Sequence, residues 1–302
     1  MLCAHKDRTQ IYDFEGIPIY RCNVCRLVFN DKYGKDFDPK EIYATFYRNE
    51  MSARFGFGIE YLIRLFRFFR AFKIFTIYPR ASSILDIGSG RGYMLYYLKK
   101  YYGYVRTAGT QISKNAFEFS RHKLGLEIYD KDLLDLSVDD ASFDIVTMWH
   151  VLEHVAHPEK YIEKISHILK DNGKIIVEVP NYNSWTRALT NRYWLGFDLD
   201  HHVTFFTPSS LSGLLEKYGF KIRVIHTFSL EYSTFLSVQS IVSRITRSDH
   251  LFFRFLQTGL FNIWAVIHGL LFLVLTVPCF FINIMLYFSK KGEVLLIVAE
   301  KG

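Results

Sequence analysis

The sequence predicts an α/β protein: a mostly parallel sheet with helices on both faces. Three observations carry that reading. Short apolar runs alternate with helix-length amphipathic segments, as a βαβ chain requires. One run, Ile84 to Ile87, passes at once into a bare turn, Gly88-Ser-Gly-Arg-Gly92, and then a helical stretch from Tyr93 to Lys100. Later helices carry start signals, with Pro158-Glu159 in one first turn and Thr207-Pro208 as N-cap and first residue of another.

The 302 residues are enough for one full α/β domain with additions. The formal charge is +7 and 17% of residues are aromatic, a balance that favours an anionic partner. The four cysteines do not make a disulfide framework. The stretch Met1-Leu-Cys-Ala-His lacks an apolar core of signal-peptide length, so a cytosolic location is the expectation.

Residues 1–35 read as a small β-rich module. Ile17 to Phe29 forms a hairpin with Cys22 and Cys25 at its knuckle, a spacing that suits zinc. Cys3 and His5 are the upstream candidates for the remaining ligands; a hairpin with free thiols is the alternative. Residues 36–80 hold a lid-like segment near 40–50 and a helix rich in Phe and Arg over 56–78. Its Arg64, Arg67, Arg70 and Lys73 step by three and sweep half the circumference. This helix reads either as a basic membrane-surface element or as a packed helix with a solvated basic side. The main domain covers 81–250 and 290–302. Strands are expected near 104–110, 126–129, 143–148, 173–179, 220–228 and 293–300. Helices are expected near 113–124 and 158–170, the latter ending at Asn172-Gly173, and from Thr207 to Gly219.

Glycine admits left-handed backbone and lets a ligand approach, and a helix start offers free N–H groups. Strand, acid, bare turn and helix together therefore read as a nucleotide-like cofactor site. The glycines run G-x-G-x-G, not the dinucleotide G-x-G-x-x-G, with Asp86 at the strand end. This pattern resembles the first motif of the class I S-adenosylmethionine-dependent methyltransferases. The resemblance covers about residues 80–230 and implies a Rossmann-like seven-stranded sheet. It places Asp86, Gly88 and Gly90 at the cofactor. Where the family carries a ribose-binding acid this chain has Gln111, which keeps hydrogen bonding but loses the charge. Asp132 and the adjoining Leu133 match the adenine-binding position. The N-terminal module resembles the zinc ribbon of some sugar and lipid-linked methyltransferases, with its first Cys-x-x-Cys pair degraded.

Residues 143–155 match the family's fourth-strand motif. On a helical turn His150, Glu153 and His154 would share one face. Similar methyltransferases of ubiquinone biosynthesis, which act on phenolic oxygens, carry a metal-binding Glu-x-x-Glu-His set there, and His150 stands in for its first Glu. The alternative is that Glu153-His154 only shapes the fold behind the cofactor. His150, adjoining the cofactor, is also a candidate general base. The segment Trp194 to Pro208 follows the fifth strand, where loops face the ligand crevice. Trp185, Trp194, Asp198, His201 and His202 are candidate acceptor-pocket residues; the alternative is that His202 and Phe206 pack this loop onto the core. The expected catalytic set is thus His150, His154 and His202.

From Phe255 to Ser289 there is no charged residue, and that exceeds the length that spans a bilayer. Arg244, Arg247 and Arg254 precede it and Lys290 and Lys291 follow. Basic flanks on both sides, and a last strand that must return to the sheet, argue for both ends on the cytoplasmic face. Residues 251–289 are therefore expected to form a monotopic helical hairpin, broken near His268-Gly269 or at Pro278. A soluble dimerisation hairpin is the alternative. These readings converge on a membrane-bound methyltransferase using S-adenosylmethionine, acting on a lipid or lipid-linked acceptor, most simply at oxygen. A catalytically idle scaffold of a membrane assembly is the second reading. Nucleic acid is not expected as a partner: Val179-Pro-Asn-Tyr182 is not the Asn-Pro-Pro-Tyr type of motif found in amino-methylating enzymes.

Overall fold

A computed structural model describes residues 5–14, 16–35, 57–248, 251 and 263–302. The chain opens with an antiparallel meander, β1 (Arg8–Phe14), β2 (Ile17–Cys22) and β3 (Val28–Asn30). A long helix follows, α1 (Phe57–Ile77). The alternating part runs β4 (Ser83–Ile87), α2 (Tyr93–Tyr101), β5 (Arg106–Thr110), α3 (Lys114–Glu118), β6 (Glu127–Tyr129), β7 (Phe143–Trp149), α4 (Pro158–Ile168) and β8 (Leu169–Pro180). Then come α5 (Trp185–Thr190), β9 (Thr204–Phe205), α6 (Pro208–Lys217), β10 (Phe220–His226), α7 (Ser233–Thr246), α8 (Ile263–Phe288) and β11 (Val294–Lys301).

Seven strands form one sheet in the order β10-β11-β8-β7-β4-β5-β6. The five from β8 to β6 are parallel, and β11 lies antiparallel between β8 and β10. Each central strand is apolar on both faces because helices cover both. Ile84, Ile145, Ile176 and Leu296 pack one way, and Leu85, Val146, Ile175 and Ile297 the other. The chain departs from β4 toward β5 on one side and resumes with β7 on the other. The crevice at this switch point is where such sheets hold ligands.

The small meander does not stand apart. Its third strand pairs with β9, Val28 facing Phe205, so it is sewn to the loop ahead of α6. Thr207 caps α6 as the sequence predicts, in a reciprocal box with Ser210. The helix expected over 113–124 is a short α3 followed by a π turn over Phe119–Lys123. The helix after Pro158 stops at Ile168, earlier than expected, because Leu169 turns extended to pair with Phe143 and Asn172 takes a positive φ in the strand behind it. The lid expected near 40–50 lies outside the described residues.

The apolar segment differs most from expectation. The breaks expected at His268-Gly269 and Pro278 are absent: α8 runs unbroken through both. Proline removes one N–H from the ladder, but the helix is held on either side of it by polar bonds to α7. His268 Nε2 lies 2.9 Å from both Thr246 Oγ1 and Ser248 Oγ, and Asn283 Nδ2 donates to Ser237 Oγ at 2.9 Å. Among the described residues the antiparallel partner of this helix is α7, which the sequence reading left inside the main domain; residues 252–262 of the expected hairpin lie outside the described residues.

Candidate active site

Parallel pairing sets the first element of the site. Asp86 ends β4 opposite Thr147 of β7 and Gly109 of β5. Its carboxylate is 4% exposed and accepts the Thr147 hydroxyl at 2.6 Å. Burial lifts its pKa to about 6, although the Thr147 bond and the nearby Arg70 and Arg67 pull downward. The turn that follows holds Gly88, Gly90 and Gly92 at positive φ. At Gly88 a side chain is also excluded sterically, since a Cβ would come within 2.6 Å of Val151 Cγ2.

A cavity of about 960 Å³ lies over this turn, and Asp86, Gly88, Gly90, Gln111, Asp132, His150, His154 and His202 all line it. Gln111 Oε1 accepts from the Ser113 amide at 2.9 Å. Asp132 accepts from the Leu134 amide at 2.8 Å and from the Tyr161 hydroxyl. Leu133, placed at the adenine by resemblance, lies in the core and not on the cavity wall. Trp194 is buried, its Nε1 donating to Glu293 at 3.0 Å; Trp185 is on the surface, and neither lines the cavity, nor does His201. Asp198 does line it, held well below its usual range: burial works upward, but the His201 hydrogen bond at 2.8 Å outweighs it.

The histidines divide by environment. His150 adopts a left-handed φ of 55° after β7, unusual for a residue with a side chain. Its Nδ1 is 3.2 Å from Glu153 Oε1, its Nε2 is 3.4 Å from Glu178 Oε1, and its ring lies 4.3 Å from that of Tyr232. Burial lowers its pKa, but the two carboxylates outweigh burial and hold it as imidazolium. His154 is neutral: burial, then His202, push it down to about 4. His154 Nδ1 faces the His201 carbonyl at 3.1 Å, and His202 Nδ1 faces the Gly196 carbonyl at 2.9 Å. Each Nδ1–H then donates, which leaves Nε2 as the acceptor nitrogen. One donor atom each from Glu153, His154 and His202 lie within 4.8 Å of one another, and Glu153 Oε2 has no hydrogen-bond partner among the described residues. That donor set fits a divalent cation as well as a proton acceptor.

Other residues at the site were not assigned to it from sequence. Arg67 and Arg70 of α1 turn inward onto Glu231, at 2.6 and 2.7 Å, and Arg70 lies 4.2 Å over the Trp149 ring. Glu178 had a readable signal, a lone carboxylate inside the buried run Ile175-Ile-Val-Glu-Val179. Glu231 and Tyr232 had none. Off the cavity wall, Cys25 Sγ lies 3.4 Å from His5 Nδ1, and His5, Cys22 and Cys25 bring their donor atoms within 4.8 Å of one another. Cys3 is outside the described residues.

A family profile described as a methyltransferase domain matches residues 58–225. The chain belongs to this family. Among curated relatives, the ubiquinone biosynthesis O-methyltransferase of Coxiella burnetii is 27% identical over 155 residues, 47% of this chain and 65% of that protein. A demethylmenaquinone methyltransferase of Clavibacter sepedonicus is 32% identical over 98 residues, 31% of this chain and 39% of that one. The chain thus spans less than two thirds of the length of these relatives. Two solved structures share the fold. A SAM-dependent methyltransferase of Archaeoglobus fulgidus has a TM-score of 0.52 at 20% identity, covering 86% of this chain and 99% of that one. A putative sarcosine dimethylglycine methyltransferase of Galdieria sulphuraria has 0.53 at 11%, covering 88% and 99%.

The site suits S-adenosylmethionine, the cofactor that the sequence resemblance implies. A buried carboxylate faces the cavity to meet a cationic ligand, and the glycine turn leaves room that a Cβ would fill. Asp86 is ionised only above pH about 6, so cofactor affinity should fall as pH drops from 7.5 to 5.5. Calorimetric titration with S-adenosylhomocysteine should show that fall. Asp86→Asn should bind about tenfold or more weakly and lose the pH dependence in that window. The same substitution removes a buried charge, so it should raise the melting temperature of the free protein at pH 7.5.

Proposed function

We propose that this methyltransferase acts on a lipid or lipid-linked acceptor, at oxygen, while bound in monotopic fashion to the cytoplasmic face of a membrane. One observation carries the acceptor class. The cavity that begins at Asp86 continues to Phe272 and Thr276 of α8, the helix apolar enough to enter a bilayer. The cofactor site and the apolar helix therefore share one space. The curated relatives named for ubiquinone biosynthesis and demethylmenaquinone are consistent with a lipid-soluble acceptor. The ties of α7 to His268 and to Asn283 hold α8 alongside the domain over about 22 Å of its length. That arrangement favours a helix lying at the surface over one crossing it.

S-adenosylmethionine supplies an activated methyl group on sulfonium. The protein has to place the acceptor oxygen in line with it and receive the proton the oxygen loses. His150, already an imidazolium with its two ring nitrogens facing Glu153 and Glu178, cannot receive it and serves instead to hold those two carboxylates beside the site. His154, neutral and with Nε2 as its acceptor nitrogen, receives the proton; His202 and Glu153 fix its ring and its charge environment. Glu153, His154 and His202 would hold a divalent cation, which would supply Lewis acidity and lower the pKa of the acceptor hydroxyl.

The test is methyl transfer from tritiated S-adenosylmethionine to a bacterial membrane lipid extract in mixed micelles. Label should enter the organic phase, and His154→Ala should lose at least about a hundredfold in rate while binding S-adenosylhomocysteine within about threefold of wild type. Label confined to water-soluble acceptors would defeat the lipid assignment. For the N-terminal module we propose one zinc ion on Cys22, Cys25 and His5. Elemental analysis of the purified protein should give about one zinc per chain, and Cys22→Ser should lose it; a metal-free wild type would remove the ion.

A further inference from the structure

The two helices that wall the outer cavity are both turned inside out. In α1 three of the charged residues face inward: Glu60 is bonded to Arg91 at 2.6 Å, and Arg67 and Arg70 hold Glu231. On the other side Tyr61, Leu62, Leu65, Phe69 and Phe72 are 41–70% exposed. At 100° per residue these five fall within an arc of about 100°, opposite the Arg67 and Arg70 side. In α8 the polar His268 and Asn283 are buried against α7, while Leu273, Val274, Val277, Phe281 and Met285 are 60–72% exposed. Water-soluble helices bury the apolar stripe and expose the charged one.

The two helices face each other across two cavities. The main cavity has Leu62 and Phe66 of α1 near one end of the pair, with Phe272 and Thr276 of α8. A smaller cavity of about 270 Å³ has Lys73 of α1 at the other, with Ile284 and Tyr287 of α8. Leu62 both lines the main cavity and is 46% exposed, so the cavity reaches the surface at the edge of the apolar stripe. Basic residues surround this face: Arg64 beside the stripe, exposed Arg244 and Arg247 at the end of α7, and exposed Lys290 and Lys291 after α8. That is the charge an anionic leaflet attracts.

We propose that α1, and not α8 alone, is a lipid-contacting element, and that the acceptor enters sideways from the leaflet through the cleft between the two helices. The outer face of α1 lies among acyl chains, and its inner ion pairs form the polar wall past which the acceptor's head slides toward His150. This inference rests on the membrane-bound lipid methyltransferase reading and adds to it the entry route and the second contact.

The experiment uses the full chain bound to vesicles of phosphatidylcholine and phosphatidylglycerol (3:1) doped with a phosphatidylcholine carrying a diazirine in its acyl chain. After irradiation and digestion, adducts are mapped by mass spectrometry. The proposal expects adducts in both 57–77 and 263–288. Adducts in 263–288 alone would overturn the role of α1 while leaving the membrane reading standing; adducts in neither would overturn both. The double variant Leu65→Glu, Phe69→Glu alters residues that do not line the cavity. It should lose the α1 adducts and bind vesicles about tenfold or more weakly, with calorimetric affinity for S-adenosylhomocysteine unchanged as proof of folding. Unchanged vesicle binding by a cofactor-competent variant would count against α1 as a contact.

Discussion

The carboxylate of Glu231 holds Arg67 and Arg70 together, and that one contact decides which way α1 faces. Both arginines and the carboxylate are largely withdrawn from water, so each alone would be costly to bury. Held together they can line a cavity. Arg70 reaches further, to within 3.7 Å of Glu178, which in turn sits beside His150. A chain of alternating charge thus runs from the outer helix to the centre of the site. Because these charges point inward, the apolar side of α1 has to point outward, and the surface character of the molecule follows from the wiring of its interior.

The sheet supplies the other half of the site. At the switch point the strand ends bring together groups that are remote in sequence: Asp86 from β4, Thr147 from β7 with His150 just after it, and Glu178 from β8. Two histidines four residues apart are held in opposite charge states, His150 by two carboxylates and His154 by burial beside His202. Such divergence is how a protein assigns donor and acceptor roles to one residue type.

Much of this was legible in the chain. Every strand of the seven-stranded sheet falls within a few residues of its expected place, because buried parallel strands write continuous apolar runs and later helices carry start signals such as Thr207-Pro208. Asp86, the glycine turn and the histidines announce themselves by spacing. What sequence could not show was direction and partnership. The Phe/Arg pattern of α1 gives two faces but not which is inside; only the position of Glu231, far along the chain, settles it. Likewise α8 looked too long to be one helix beside a domain, because its polar ties to Thr246 and Ser237 are single side chains in an otherwise apolar stretch. Leu133 shows the limit of carrying a position over by resemblance, since the residue that follows Asp132 packs inward here.

The most direct test of the whole account is a structure of the protein with S-adenosylhomocysteine in lipid nanodiscs. The account predicts the amino-acid end of the ligand at Asp86 and Gly88, its ribose at Gln111, its sulfur facing His150, and the bilayer edge against α8. A ligand bound away from the glycine turn, or α8 packed against a second protein chain with no lipid at its apolar face, would contradict it.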